Sequence, residues 1–89
     1  MVVVATVDMA EGALISGPDI VSRGFVYVRE SERLLDDARE IARDAIENCL
    51  DRGITDWMQL KGRVKDDLAK YLYSKIKRSP MILPVIMNI

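Results

Sequence analysis

Across residues 31–52 the apolar side chains return every three or four positions: Leu34, Leu35, Ala38, Ile41, Ala42, Ala45, Ile46, Cys49 and Leu50. That spacing puts them on one face of an α-helix and leaves the opposite face charged. Such a helix is stable only against another apolar surface, and the rest of the chain offers two kinds. Trp57, Leu60, Val64, Leu68, Leu72 and Ile76, widened by Tyr71, form a second helical stripe. Residues 2–9 and 81–89 are instead apolar and rich in β-branched side chains, which reads as strand. Two amphipathic helices between strand-forming ends point to a two-layer α+β fold, a small mixed sheet of about three strands with both helices on one face.

Local signals set the expected boundaries. Ser31 is placed to cap the first helix, and Glu32, Asp36 and Asp37 suit the positive end of its dipole. Gly53 suits the left-handed residue after its last turn. Thr55 or Asp56 caps the second helix, Asp56 with Gln59 has capping-box spacing, and Ser79-Pro80 ends it. Residues 2–9 read as a strand buried on both faces at its start. Glu11-Gly12 turns the chain into a second strand from residue 13, whose ladder Gly17-Pro18 interrupts before Ile20 and Val21 continue it. Residues 25–28 form a further short extended run after Gly24. Residues 81–89 form the last strand, and Pro84 assigns it to a sheet edge or a bulge. The expected order is β-β-α-α-β, with the 25–28 run as an additional extended piece.

At 89 residues this is one small domain. It opens in what reads as mid-strand, so it is expected to be a piece of a longer chain. Its 49% apolar and 30% charged residues fit a globular core. The net charge of −1 gives no bulk attraction to nucleic acid or to an acidic membrane. No apolar run reaches the ~18 residues of a membrane span. The single cysteine, Cys49, excludes an internal disulfide, suits a reducing cytoplasm, and sits on the apolar stripe as a buried thiol. There is no histidine, so a metal site would have to use one thiol and carboxylates, a poor set for zinc. The glycine spacing lacks the helix start and Gly-Lys-Ser/Thr of a phosphate loop.

Two surfaces remain as candidates. Residues 30–52 carry eight acids and four bases, whereas residues 55–78 carry seven bases and three acids. The densest basic run holds Lys75, Lys77 and Arg78. Bases in a last helical turn answer the dipole alone, but with Arg23 beside Phe25 and Tyr27 they are also candidate contacts for RNA phosphates and bases. The other candidate is the sheet. The last strand is apolar on both faces, helices cover only one, and an open face or edge in so small a domain is available to a partner. Val3, Ile82, Val85 and Ile86 are the candidate residues for that contact.

Two stretches also carry a family resemblance. Ser16-Gly17-Pro18-Asp19-Ile20-Val21-Ser22-Arg23-Gly24-Phe25-Val26-Tyr27 and Lys77-Arg78-Ser79-Pro80-Met81-Ile82-Leu83-Pro84 resemble the C-terminal domain of the ribonuclease J family, and the likeness covers the whole chain. Members are metallo-β-lactamase-type ribonucleases with an inserted β-CASP domain, which use zinc to cut RNA internally and from its 5′ end in bacterial RNA maturation and decay. The resemblance implies a non-catalytic C-terminal accessory domain in the cytoplasm. It promotes self-association, as a dimer, and supports activity on RNA. The implied partners are a second copy, the upstream catalytic domains and RNA. No position here matches the family's zinc ligands, so the resemblance implies zinc for the parent enzyme and no cofactor or catalytic residue in this chain.

Overall fold

The computed structural model describes residues 1–21, 30–54, 56–77 and 81–89. They form β1 (Val2–Asp8), β2 (Ala13–Val21), α1 (Glu30–Asp51), α2 (Trp57–Ile76) and β3 (Leu83–Asn88). The sheet is mixed and three-stranded, in the order β2-β1-β3. β2 returns antiparallel to β1, and β3 arrives parallel to it after both helices. The expected two-layer α+β architecture and its β-β-α-α-β order are what the chain forms. The expected 25–28 run, the Ser79-Pro80 stop and the Thr55 cap lie outside the described residues. Ser31, expected to cap α1, is instead its second residue, because the helix begins at Glu30.

β1 is central and alternates strictly. Val3, Ala5 and Val7 are buried, whereas Val2, Val4, Thr6 and Asp8 are half-buried. The expectation of a strand buried on both faces is therefore corrected: helices cover one face only, so odd residues are inside and even ones are not. β2 runs through Gly17 and Pro18 as one strand, with its register shifting between Val4 and Val7 of β1. The interruption expected at Gly17-Pro18 is thus an irregularity in the ladder and not a break. Gly17 is what permits it. Its φ is +87°, and a Cβ there would stand 2.7 Å from the Val4 carbonyl oxygen.

The core lies between the sheet and the helices. Ala38, Ala42, Ala45, Ile46, Cys49 and Leu50 of α1 meet Leu60, Val64, Leu68 and Leu72 of α2 and the inward residues of β1 and β3. Small side chains dominate the α1 stripe, which lets it sit close to its neighbours. Trp57 and Ile54 are half-buried against this core. Gly53 adopts φ +72°, its N–H bonds to the Leu50 carbonyl, and the Ile54 N–H bonds to the Cys49 carbonyl. These two bonds are a Schellman termination of α1. α2 begins at Asp56, whose carboxylate accepts from the Met58 N–H at 2.9 Å. It ends with Lys77 in the left-handed region, whose N–H bonds to the Tyr73 carbonyl.

Candidate interaction surface

The register across the sheet defines a second, uncovered face. Val2 pairs with Leu83, Val4 with Val85 and Thr6 with Met87. On the other side Val2 pairs with Val21, Val4 with Asp19 and Thr6 with Ser16. Paired residues share a face, and this set points away from the helices. Leu83, Val85 and Met87 are 52%, 42% and 49% exposed, and Val21 at the β2 side is also exposed. These four side chains present on the order of 300 Å² of apolar surface, within the range of the largest patch an ordinary monomer carries. Among the described residues nothing lies over this face. Its only acidic neighbours on the strands are Asp19, on the neighbouring β2, and Asp8, at the end of β1.

Among the described residues the outer edge of β3 is also unpaired. The Leu83 N–H donates to the Met1 carbonyl at 2.9 Å, and the Ile89 N–H donates to the Val7 carbonyl at 3.1 Å. In a parallel ladder this assigns the odd residues' N–H and C=O groups to β1 and turns those of Pro84, Ile86 and Asn88 outward. Pro84 therefore sits where its missing N–H costs no bond of the sheet, the edge position its sequence indicated. Residues 81–89 contain no charged side chain, so this edge lacks the lysines and carboxylates that usually guard one.

Of the four residues expected to carry the contact, Val85 is on the open face. Val3, Ile82 and Ile86 are not: they are 0%, 2% and 8% exposed and belong to the core. The correction follows from strand parity, because Val3 and Ile86 face the helices and Ile82 enters β3 on the same side. Leu83, Met87, Val2 and Val4 take their place. In β1 the sequence did hold a signal, since polar Thr6 and Asp8 share parity with Val2 and Val4. In β3 it misleads, because polar Asn88 shares parity with buried Ile86, and its side chain accepts from the Met9 N–H at 3.1 Å.

The basic candidates divide. Arg23 and Arg78 lie outside the described residues. Lys75 and Lys77 are exposed at the end of α2, where each lies over a tyrosine: Lys75 Nζ is 5.9 Å from the Tyr71 ring centre and Lys77 Nζ is 5.7 Å from that of Tyr73. The other bases of α2 do not line up as one stripe. Arg63 pairs with Asp67 at 2.9 Å, which raises its pKa through the hydrogen bond and the carboxylate charge. Lys65 and Lys70, five residues apart, point about 140° from one another around the helix. On α1, Arg39 pairs with Asp36.

Tyr71 joins the two helices, its hydroxyl donating to the Asp37 carboxylate at 3.2 Å. Burial, then the charge and hydrogen bond of Asp37, raise its pKa. The chain has no histidine, and among the described residues no three carboxylates or thiols converge.

The family described as the ribonuclease J C-terminal domain matches residues 1–89. Ribonuclease J2 of Bacillus subtilis (strain 168) is 44% identical over 89 residues, which is 100% of this chain and 16% of that protein. Ribonuclease J 2 of Staphylococcus saprophyticus (strain ATCC 15305) is 43% identical over 88 residues, 99% of this chain and 16% of its own length. Ribonuclease J 2 of Staphylococcus aureus (strain NCTC 8325) gives the same identity and coverage. The chain thus spans about a sixth of the length of these curated relatives.

Proposed function

We propose, because this chain belongs to the ribonuclease J C-terminal domain family, that it is a non-catalytic accessory domain which assembles a longer zinc-dependent ribonuclease through the open side of its sheet. The observation that carries this reading is the uncovered apolar strip of Leu83, Val85 and Met87 beside Val2 and Val4. A patch of this order on a small domain is often a functional surface. A second copy is the occupant the surface fits. With Val2, Val4 and Val21, the open face supplies roughly half of the ~800 Å² per partner of a standard interface. The single charge on its β1 and β3 strands is Asp8, at the far end of β1.

Sedimentation velocity over a wide concentration range tests this. The expected result is a dimer that persists equally at low and high salt, and a monomer for Val85→Asp with an unchanged circular dichroism spectrum. A wild-type chain that stays monomeric at every concentration overturns the reading.

A second reading rests on a different observation, the two lysine–tyrosine pairs at the end of α2. Exposed Tyr73 offers a ring for a base, and Lys75 and Lys77 offer charge for phosphates. It predicts weak, sequence-tolerant binding of single-stranded RNA that falls steeply with salt and is lost in Lys75→Glu/Lys77→Glu. Salt-independent affinity removes it.

A further inference from the structure

We infer that Lys70, Tyr73 and Lys77, on the outward side of α2, form a single-stranded RNA contact that stacks one base on Tyr73 and holds a phosphate to either side of it. The inference rests on the RNA reading above and narrows it to one side of the helix, with Lys75 outside the contact.

The two lysine–tyrosine pairs do not share a face. Tyr71 and Tyr73 are two residues apart, so they project about 160° from each other around α2. The Tyr71 hydroxyl is tied to Asp37 of α1. Lys75, over the Tyr71 ring, therefore stands on the side of the acidic helix, which competes for its charge. Tyr73 is 55% exposed and points away from the buried stripe of Leu60, Val64, Leu68 and Leu72. Lys77 Nζ lies 5.7 Å from its ring centre. Lys70, three residues before Tyr73, is exposed on the same side.

The spacing of charge and ring suits a nucleotide strand. Lys70 and Lys77 are seven residues apart, which is about 10.5 Å along the axis in nearly the same direction, and Tyr73 falls between them. Flexible lysine stems can meet two phosphates across that interval while the base between them meets the ring. Among the described residues the helical ion pairs are Arg39–Asp36 and Arg63–Asp67, and neither occupies Lys70 or Lys77. Asp66 is exposed on the same side one turn before Lys70, and its charge repels a further phosphate there. The contact is thus limited to two phosphates. The negative end of the helix dipole lies beneath it and keeps the affinity low. An acidic peptide would use both lysines but leave the ring idle, so a nucleic-acid strand is the occupant this face favours.

Fluorescence anisotropy of a labelled oligoadenylate roughly ten nucleotides long, titrated at several salt concentrations, tests the face. For the wild-type chain the slope of log affinity against log salt is expected near −1.4, from two phosphates at roughly −0.7 each. Lys70→Gln and Lys77→Gln are each expected to move that slope by roughly 0.7 toward zero. Lys75→Gln is expected to leave it unchanged, and Asp66→Asn to tighten binding. Tyr73→Leu is expected to weaken binding about five-fold or more with the slope kept. Circular dichroism checks that each variant is folded. A change of slope in Lys75→Gln equal to that in Lys70→Gln means bulk charge attraction, and overturns the inference while RNA binding stands. Unchanged affinity in Tyr73→Leu overturns it as well. So does polyglutamate that displaces the probe as readily as unlabelled oligoadenylate of equal charge, which assigns the face to an acidic protein. No binding by the wild-type chain at low salt removes the inference together with the RNA reading.

Discussion

Two glycines in this chain carry opposite consequences. At Gly17 the backbone is left-handed and a Cβ would meet the carbonyl oxygen of Val4 on the neighbouring strand. Backbone cannot give way there as a flexible side-chain tip can, so Gly17→Ala adds conformational strain to a clash. The expected loss is about 2–3 kcal/mol, read as a lower urea midpoint with an unchanged slope. Gly62 sits within α2, and nothing stands within 4 Å of its absent Cβ. Gly62→Ala is expected to raise the midpoint, by about 0.5–1 kcal/mol, since alanine gives up less chain entropy in a helix. Two glycine-to-alanine changes of the same sign refute this account. The role of Gly53 was legible from its place after the last apolar residue of α1. That of Gly17 was only half legible: the sequence marks a disturbed ladder, but not the strand whose carbonyl demands a missing side chain.

At the scale of elements, the helices are held to each other by more than their apolar stripes. Tyr71 of α2 donates to Asp37 of α1 across thirty-four residues of chain. Tyr71→Phe keeps the ring and removes the bond, at an expected cost of about 0.5–1.5 kcal/mol. The raised pKa of Tyr71 gives this a pH signature. A group whose pKa is higher folded than unfolded stabilises the fold fully below its unfolded value, near 10, and loses that contribution as pH rises through the folded value. The stability gap between wild type and Tyr71→Phe is therefore expected to hold constant from pH 7 to 9 and to narrow above pH 10, in urea titrations at each pH. A gap that does not change with pH assigns the effect to packing. Both helices were legible in the 3–4 spacing of their apolar residues, in Gly53 after α1 and in the Asp56 cap of α2. The Tyr71–Asp37 bond was not, because it depends on how the two helices are rotated against each other.

The whole molecule has its charge and its apolar surface in different places. Acids gather on α1 and bases on α2, while β1 and β3 offer the partner little but aliphatic side chains. With a net charge of −1 there is little overall repulsion between copies for salt to screen. For this reason association through the sheet is expected to be insensitive to ionic strength, whereas binding of RNA phosphates by α2 is not. The same experiment thus separates the two readings at the scale where they differ. A layer of helices on one side and none described on the other also explains the strand burial. The helix-facing side of β1 is closed, and its other side is left half-buried.

The sequence by itself determined the elements, their order and their two-layer arrangement. Apolar spacing, helix caps and proline placement act within a few residues, and nothing distant competed with them. Pro84 announced an edge, and the absence of histidine left a zinc site without its usual ligands. The tertiary structure alone decided which side of each strand is open. A one-residue change of parity moves a strand's whole set of side chains to the other face. β3 is apolar at nearly every position, so its own letters do not choose; its pairing with β1 does. That pairing buries Ile86 and leaves Val85 and Met87 to solvent. Val3 and Ile82 went inside for the same reason, and the surface available to a partner is the set of residues that pairing left behind.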